Sequence, residues 1–305
     1  MQDAKRIWLD GEVVDYGAAT THVLSHTLHY GLGVFEGIRA YKTAGGKTAI
    51  FRLEDHTKRL LDSARICLID VKYSVEQINE ACKLVLRENE LDEGYIRPLI
   101  WLGEGSIKVA AVDNAVRVAI AAWPWGAYLG DEALEMGVRC CVSSYTRMGV
   151  RSHYEKAKIC GQYTNSVLAK REAINNGFHE AILLDQAGYV TEGSGENLFI
   201  VRNGVLFTPP RGASILAGFT RSSIITLAKD AGFEVREERF TRSDLYIADE
   251  VFLCGTAAEV TPVREIDGRT IGAGRRGPVT EQLQQAYFDA VRGNGESHPE
   301  WLSFV

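Results

Sequence analysis

No stretch of this 305-residue chain holds the ~20 consecutive apolar residues that a bilayer-crossing helix needs, so no membrane span is expected. Basic residues are not in excess: 34 Lys and Arg stand against 40 Asp and Glu, a formal net charge of −6. Nucleic-acid affinity rests on clustered Lys and Arg, so this balance argues against a general polyanion binder and leaves room only for a local basic pocket. Six cysteines (Cys67, Cys82, Cys140, Cys141, Cys160, Cys254) form no CxxC pair and no zinc-type spacing. No secretory signal is read before them, and they are expected to be reduced thiols of a cytoplasmic protein. There is no P-loop, and GLGVFEG has one residue too many for GxGxxG. His22, His26 and His29 recur at helical spacing but lack the acid of an HExxH pair, so no metal is expected. What is abundant is apolar matter: 46 % hydrophobic residues, enough core for two packed α/β domains.

Along the chain, RIWLDGEVV reads as strand, Asp10-Gly11 turn and strand. IFRLEDHTKRLLDSARICL reads as a strand and then a helix with Leu60, Leu61, Ala64 and Leu68 on one face. Ser74 and Gln77 have capping-box spacing, opening a helix with an apolar stripe of Ile78, Ala81, Cys82 and Val85. YIRPLIWLG and AVRVAIAAW read as strands, the second apolar enough to be central in a sheet. Proline, glycines and aromatics in WPWGAYLGDE mark an interdomain linker. Short strands follow, with turns at Asn203-Gly204 and near Ala187-Gly188, and helices that stop at Gly177 and Gly232. Thr220 is read as the N-cap of the second of these helices. A helix from Pro278 and a tail close the chain.

Four stretches could carry chemistry. SHYEKAKICGQYTNS sets Lys156 and Lys158 beside small and aromatic residues; each is a solvated surface charge or a desolvated amine able to form a Schiff base. YVTEGSGENLF is an exposed hairpin, or a strand end aiming Glu192 into a pocket. LAGFTRSS and CGTAAEVTP resemble helix starts, either ordinary caps or anion sites. In the second of them Thr256 and Glu259 match a capping box, and Pro262 is expected to halt the turn. Arg59 and Arg97 are the arginines that could join such a site.

Taken together, HTLHYGLGVFEGIRAY, HTKRL, YIRPLI, WPWGAYLG, KICGQYTNS, TEGSGENLF, LAGFTR and CGTAAEVTPVREIDG occur in the order found in branched-chain amino-acid aminotransferases. These are fold type IV (class IV) pyridoxal-phosphate enzymes, and the chain resembles them from about Trp8 to Gln285. The resemblance implies an α/β (α+β mixed) fold. It comprises a small N-terminal α/β domain (1–122), an interdomain linker (123–133) and a larger, β-barrel-like C-terminal cofactor-binding domain (134–305). TEGSGENLF and GTAAEVTP belong to the fold type; YIRP with PWGAY narrows it to the branched-chain group and argues against a D-amino-acid aminotransferase or an aminodeoxychorismate lyase.

The same resemblance makes Lys158, five residues before Tyr163, the Schiff-base lysine, with Lys156 an ordinary neighbour. Gln162 replaces the usual asparagine, and Tyr154 stands where many relatives have proline. Cofactor binding is implied for Arg59, Lys158, Tyr163, Glu192, Leu216, Phe219, Thr220 and Thr256: Arg59, Phe219, Thr220 and Thr256 at the phosphate, Glu192 at the pyridine nitrogen, Tyr163 at the phenolic oxygen. Substrate binding is implied for Tyr30, Phe35, Gly37, Tyr95, Arg97, Val109, Trp125, Tyr128, Ala257 and Ala258. Arg97 would meet glutamate's side-chain carboxylate, while Tyr95, Ala257 and Ala258 would meet the α-carboxylate. The stretch GEGSIKVAAVDN around Val109 departs from the family's glycine-rich version. The implied reaction is reversible, ping-pong transamination of leucine, isoleucine and valine with 2-oxoglutarate, giving 2-oxo acids and L-glutamate, with Lys158 as the base at Cα. A homodimer is the implied minimum unit, Tyr30 coming from the neighbouring subunit, and bacterial members often assemble such dimers into hexamers.

Overall fold

The computed structural model describes residues 4–110, 112–126, 129–295 and 297–305. Two compact units emerge: Met1–Trp125 with Ala157–Tyr163 and Ala290–Val305, and Gly126–Lys156 with Thr164–Asp289.

The first unit contains β1 (Arg6–Leu9), β2 (Glu12–Asp15), α1 (His26–Tyr30), β3 (Gly33–Phe35), β4 (Ile38–Lys42) and β5 (Thr48–Phe51). It continues through α2 (Leu53–Ile66), α3 (Val75–Glu88), β6 (Gly94–Leu102) and β7 (Val116–Trp123). Asp10 and Gly11 both take positive φ, as a two-residue hairpin turn requires. The strands form one sheet in the order β5-β4-β6-β7-β1-β2, with β3 also on β6. β7 lies between β6 and β1, the interior place its composition suggested.

Side chains alternate across a strand, and that period divides the sheet's faces. Ile96 and Ile100 of β6 and Val118, Ile120 and Ala122 of β7 share one core with Leu60 and Ala64 of α2 and Ile78, Cys82 and Val85 of α3. Tyr95 and Arg97, in the other phase of β6, belong with Trp123 of β7, the cross-strand partner of Tyr95. The α3 capping box is formed: the Gln77 N–H donates to Ser74 Oγ (3.3 Å) and the Ser74 N–H to Gln77 Oε1 (2.9 Å). Leu68 corrects the expected α2 face. The helix ends at Ile66, Leu68 takes φ 56°, and its side chain is 93 % exposed.

The second unit holds α4 (Asp131–Met136), β8 (Val138–Thr146), α5 (Tyr163–Asn175), β9 (Glu180–Leu184), β10 (Val190–Gly193), β11 (Asn197–Arg202) and β12 (Val205–Thr208). Next come α6 (Phe219–Asp230), β13 (Val235–Glu237), α7 (Arg242–Tyr246), β14 (Glu250–Gly255), β15 (Glu259–Ile266), β16 (Arg269–Thr270) and α8 (Pro278–Arg292). Tyr163 and Ala290–Arg292, at the ends of α5 and α8, group with the first unit. The sheet order is β10-β9-β8-β15-β14-β11-β12-β13, with β16 on β15. The whole is a mixed α/β protein.

Three local expectations are corrected here. The cap of α6 is Gly218, in extended conformation, so Thr220 lies inside the first turn. Thr256 caps no helix, because Gly255 and Glu259 pair across β14 and β15 and leave residues 256–258 as a hairpin turn. Pro262 does not halt that turn; it sits within β15 opposite Phe252. The tail beyond α8 also has structure: β17 (Leu302–Phe304) pairs with β5 and extends the first unit's sheet. Among the described residues no helix is long and apolar enough to cross a membrane.

Candidate active site

In the first unit, Lys158 is held by its backbone before its side chain does anything. Its carbonyl accepts from the Phe35 N–H (3.0 Å), its N–H donates to Ser63 Oγ (3.0 Å), and Ile159 bridges to Val34. The buried Ser63 hydroxyl also donates to the Arg59 carbonyl (2.7 Å), so α2 carries Arg59 and braces Lys158 through one side chain. Lys158 Nζ donates to the Tyr163 hydroxyl at 2.5 Å. It lies 5.0 Å from the ring centroids of both Phe35 and Tyr163, which pack edge to face at 4.8 Å. An amine over two aromatic rings and against a phenol has lost much of its water. Lys156 behaves differently: it is partly exposed, and its ammonium donates to the Arg211 carbonyl.

Arg97 lies over the rings of Phe35, Tyr95 and Trp123, with its guanidinium carbon 4.8, 5.2 and 6.0 Å from their centroids. Its Nη2 donates to the Tyr95 hydroxyl (3.2 Å). Ring faces stabilise a guanidinium while leaving its hydrogen-bonding edges to a ligand. Trp125 joins the group 5.1 Å from Tyr95. Gly37 belongs there because a Cβ at this position would collide with the Tyr95 ring and hydroxyl. Arg59 is forked onto buried Glu36, Nε to Oε1 at 2.6 Å and Nη2 to Oε2 at 2.9 Å.

Tyr30 and Val109 are both exposed. The Tyr30 hydroxyl donates to the Ile107 carbonyl (2.7 Å), and His26, one turn back on α1, bonds the Lys108 carbonyl through Nε2 (3.1 Å). Val23, Leu24, Leu28, Ile107 and Val112 are also exposed.

In the second unit, buried Glu192 is the strand-end carboxylate. Arg147 Nη2 stands 2.7 Å from Oε1, while Oε2 accepts from the Leu216 N–H (3.0 Å) and Asn197 Nδ2 (3.2 Å). A cation and two hydrogen-bond donors thus hold this carboxylate in place. Asn197 Nδ2 also donates to the Leu216 carbonyl (2.9 Å), locking the segment that leads into α6. Gly218 at that cap has no room for a side chain, because a Cβ would strike Asn197 Oδ1. α6 therefore begins without a side-chain cap, and its backbone N–H end and dipole suit an anion. Phe219 and Thr220 occupy its first turn, while Thr256, Ala257 and Ala258 form the β14–β15 turn.

Glu196 shares this neighbourhood. Burial, then the nearby Glu180 carboxylate, pushes its pKa up to about 8, against the pull of Lys170, which ion-pairs with Glu180 at 2.5 Å. A folded pKa above the unfolded one contributes stability that is complete below the ordinary carboxyl range and lost as pH rises through about 8. Glu196→Gln should therefore melt within about 1 °C of the parent at pH 5 and roughly 3–6 °C above it at pH 9. Equal melting points at pH 9 in a thermal scan would remove the basis of this assignment.

The family model described as amino-transferase class IV matches residues 33–266. The chain belongs to the class IV aminotransferases. The branched-chain-amino-acid aminotransferase of Pseudomonas aeruginosa is 56 % identical, over 98 % of this chain and 97 % of that protein. The crystal structure of the Escherichia coli branched-chain amino acid aminotransferase superposes with a TM-score of 0.96 at 49 % identity, covering 98 % of this chain and 99 % of that one. The branched-chain amino acid aminotransferase from Thermobaculum terrenum, solved in its PLP-form (holo-form), gives a TM-score of 0.93 at 35 % identity, covering 100 % of this chain and 99 % of that one. With relatives of this name, neither a D-amino-acid aminotransferase nor an aminodeoxychorismate lyase is favoured.

Set against the residues expected of a class IV aminotransferase, the first unit brings together Lys158, Tyr163 and Phe35, and also Gly37, Tyr95, Arg97 and Trp125. The second joins Glu192 to Leu216, next to Phe219 and Thr220. Tyr128 lies outside the described residues. Sequence reasoning missed Glu36, His56, Ser63, Arg147 and Asn197. His56 and Arg59, one turn apart on α2, were a usable signal; nothing local to Arg147 marks it as the partner of Glu192.

Proposed function

We propose that this chain transfers the amino group of leucine, isoleucine or valine to 2-oxoglutarate, reversibly and with pyridoxal 5'-phosphate as cofactor. The observation that carries the proposal is Lys158 Nζ at 2.5 Å from the Tyr163 hydroxyl, in a chain 56 % identical to a branched-chain aminotransferase. The donor set fits the cofactor: an amine for its carbonyl, a guanidinium and a bare helix start for its phosphate, a carboxylate for its ring nitrogen. When bound, pyridoxal phosphate supplies an electron sink for the substrate's Cα.

In this reading Lys158 would hold the cofactor through Nζ and would be the base that takes up and returns the substrate's Cα proton. Tyr163 orients the phenolic oxygen, and Glu192, held by Arg147 and Asn197, keeps the ring nitrogen protonated. Arg59, Phe219, Thr220 and Thr256 hold the phosphate, with Leu216 fixing Glu192. Phe35, Gly37 and Trp125 shape the side-chain pocket; Tyr95, Ala257 and Ala258 take the α-carboxylate. Arg97 pairs with the glutamate side chain and rests on its aromatic rings when leucine is bound, which lets one pocket serve both substrates.

A homodimer is the proposed working unit, with Tyr30 serving the partner's site and Val109 lining the substrate site. The exposed apolar side chains Val23, Leu24 and Leu28, close together in sequence just before and on α1, support this, since a contiguous exposed apolar surface is usually covered. Six free thiols support a reducing, cytoplasmic setting, and residues 123–133 are the proposed interdomain linker.

An amino-donor panel with 2-oxoglutarate tests the function. Leucine, isoleucine and valine should be consumed far faster than D-alanine, and a preference for D-alanine would defeat the proposal. In the same assay Arg97→Met should raise the KM for 2-oxoglutarate about 10- to 100-fold, the worth of a lost charge-assisted pair. The KM for leucine should move by less than about threefold.

A further inference from the structure

We propose that Glu36, assisted by His56, is the positioning residue that aims the Arg59 guanidinium at the cofactor phosphate. The inference rests on the reading of Arg59 given above and deepens it. Glu36 lies in the turn between β3 and β4 and is 0 % exposed. Both of its oxygens are committed: Oε1 accepts from Arg59 Nε at 2.6 Å, and Oε2 from Arg59 Nη2 at 2.9 Å and from His56 Nδ1 at 2.7 Å. The Gly37 N–H adds a longer contact to Oε2 at 3.3 Å. A fork of two parallel bonds fixes the plane of a guanidinium, not only its place. His56 sits one helical turn before Arg59 on α2 and is itself buried, so both groups grip the carboxylate from the same rigid element.

The protonation states agree with this geometry. Burial alone would push the Glu36 carboxyl up, but Arg59 and His56 outweigh it and hold the group well below the usual range. Burial, together with the Arg59 and Lys158 charges, pushes the His56 pKa down against the pull of Glu36. An ionised carboxylate can only accept, so Nδ1 carries the hydrogen, and neutral His56 steadies Glu36 without adding a second cation. The alternative role for Glu36 is simple charge compensation for a desolvated arginine. The two roles differ in sign at the phosphate. A carboxylate acting only as a charge repels an incoming phosphate, and its removal would tighten binding. One that aims the arginine strengthens binding, and its removal would weaken it.

The full-length chain, stripped of cofactor, would be titrated with pyridoxal phosphate and separately with pyridoxal, which lacks the phosphate, following the visible absorbance band. Glu36→Gln should weaken pyridoxal phosphate binding about ten- to a hundredfold, the usual scale for partners that orient a binding group, while pyridoxal binding changes less than about threefold. On an Arg59→Lys background, Glu36→Gln should add less than about twofold, because the two residues act as one unit. Unchanged or tighter pyridoxal phosphate binding, or an equal loss for both ligands, would overturn the proposal. If Glu36→Gln does not fold, Glu36→Asp carries the test: its shorter side chain should give a smaller loss confined to the phosphorylated ligand, and equal effects on both would overturn it. Arg59→Lys that left the preference for the phosphorylated ligand intact would instead refute the phosphate role of Arg59.

Discussion

Lys158→Ala should abolish the visible absorbance of the purified protein and lower turnover by about 10⁴-fold, since a positioned general base alone is worth roughly 10² to 10⁴ and loss of the covalent tether adds to it. The geometry supports the proposal of Lys158 over Lys156, one residue away. Lys158 is strapped by its backbone to β3 and α2 and has its amine on Tyr163, whereas Lys156 donates to a backbone carbonyl at the surface. Lys156→Ala should therefore keep turnover within about twofold of the parent, the usual scale of a surface change. Borohydride reduction followed by peptide mapping gives the direct reading, with the cofactor expected on Lys158. An adduct on Lys156, or a coloured Lys158→Ala protein turning over at the parent rate, would remove the basis of the mechanism.

Glu192→Gln should lower turnover by about 10²- to 10³-fold, the scale of losing one preorganised electrostatic partner of the reacting system, with cofactor still bound. The amide is nearly the shape of the acid and can still accept from Leu216 and Asn197, but it cannot keep a ring nitrogen protonated. Arg147, 2.7 Å from the carboxylate, would then face a neutral group and reinforce the loss. Exchange of the substrate's Cα proton with solvent, measured by NMR, should slow in step with turnover, and thermal unfolding separates this from misfolding. A folded, cofactor-loaded Glu192→Gln protein with unchanged Cα exchange would mean that the carboxylate does not support the electron sink.

Much of the local structure was legible because its causes are local. The Asp10-Gly11 turn, the Ser74–Gln77 box and the glycine stops at 177 and 232 depend on residues a few positions apart. Where local rules misled, a longer-range constraint had won. Thr256 and Glu259 have the spacing of a capping box, yet pairing between β14 and β15 leaves only a turn between them. Leu68 continues the apolar period of α2, but the helix has already ended.

The sequence by itself determined the fold class, the family and the chemical kinds of group available: an amine, a phenol, a carboxylate and arginines in a set order. The tertiary structure alone decided how those groups are held. Ser63 meets Lys158 across 95 residues, Glu36 meets Arg59 across 23, and Arg147 reaches Glu192 from beyond the end of a different strand. Periodicity, capping and turn preference are short-ranged and survive in a linear reading. Which buried polar side chain satisfies which other is settled only when strand register and helix packing bring distant positions together, since each buried charge or donor must find its partner in whatever the fold has placed beside it.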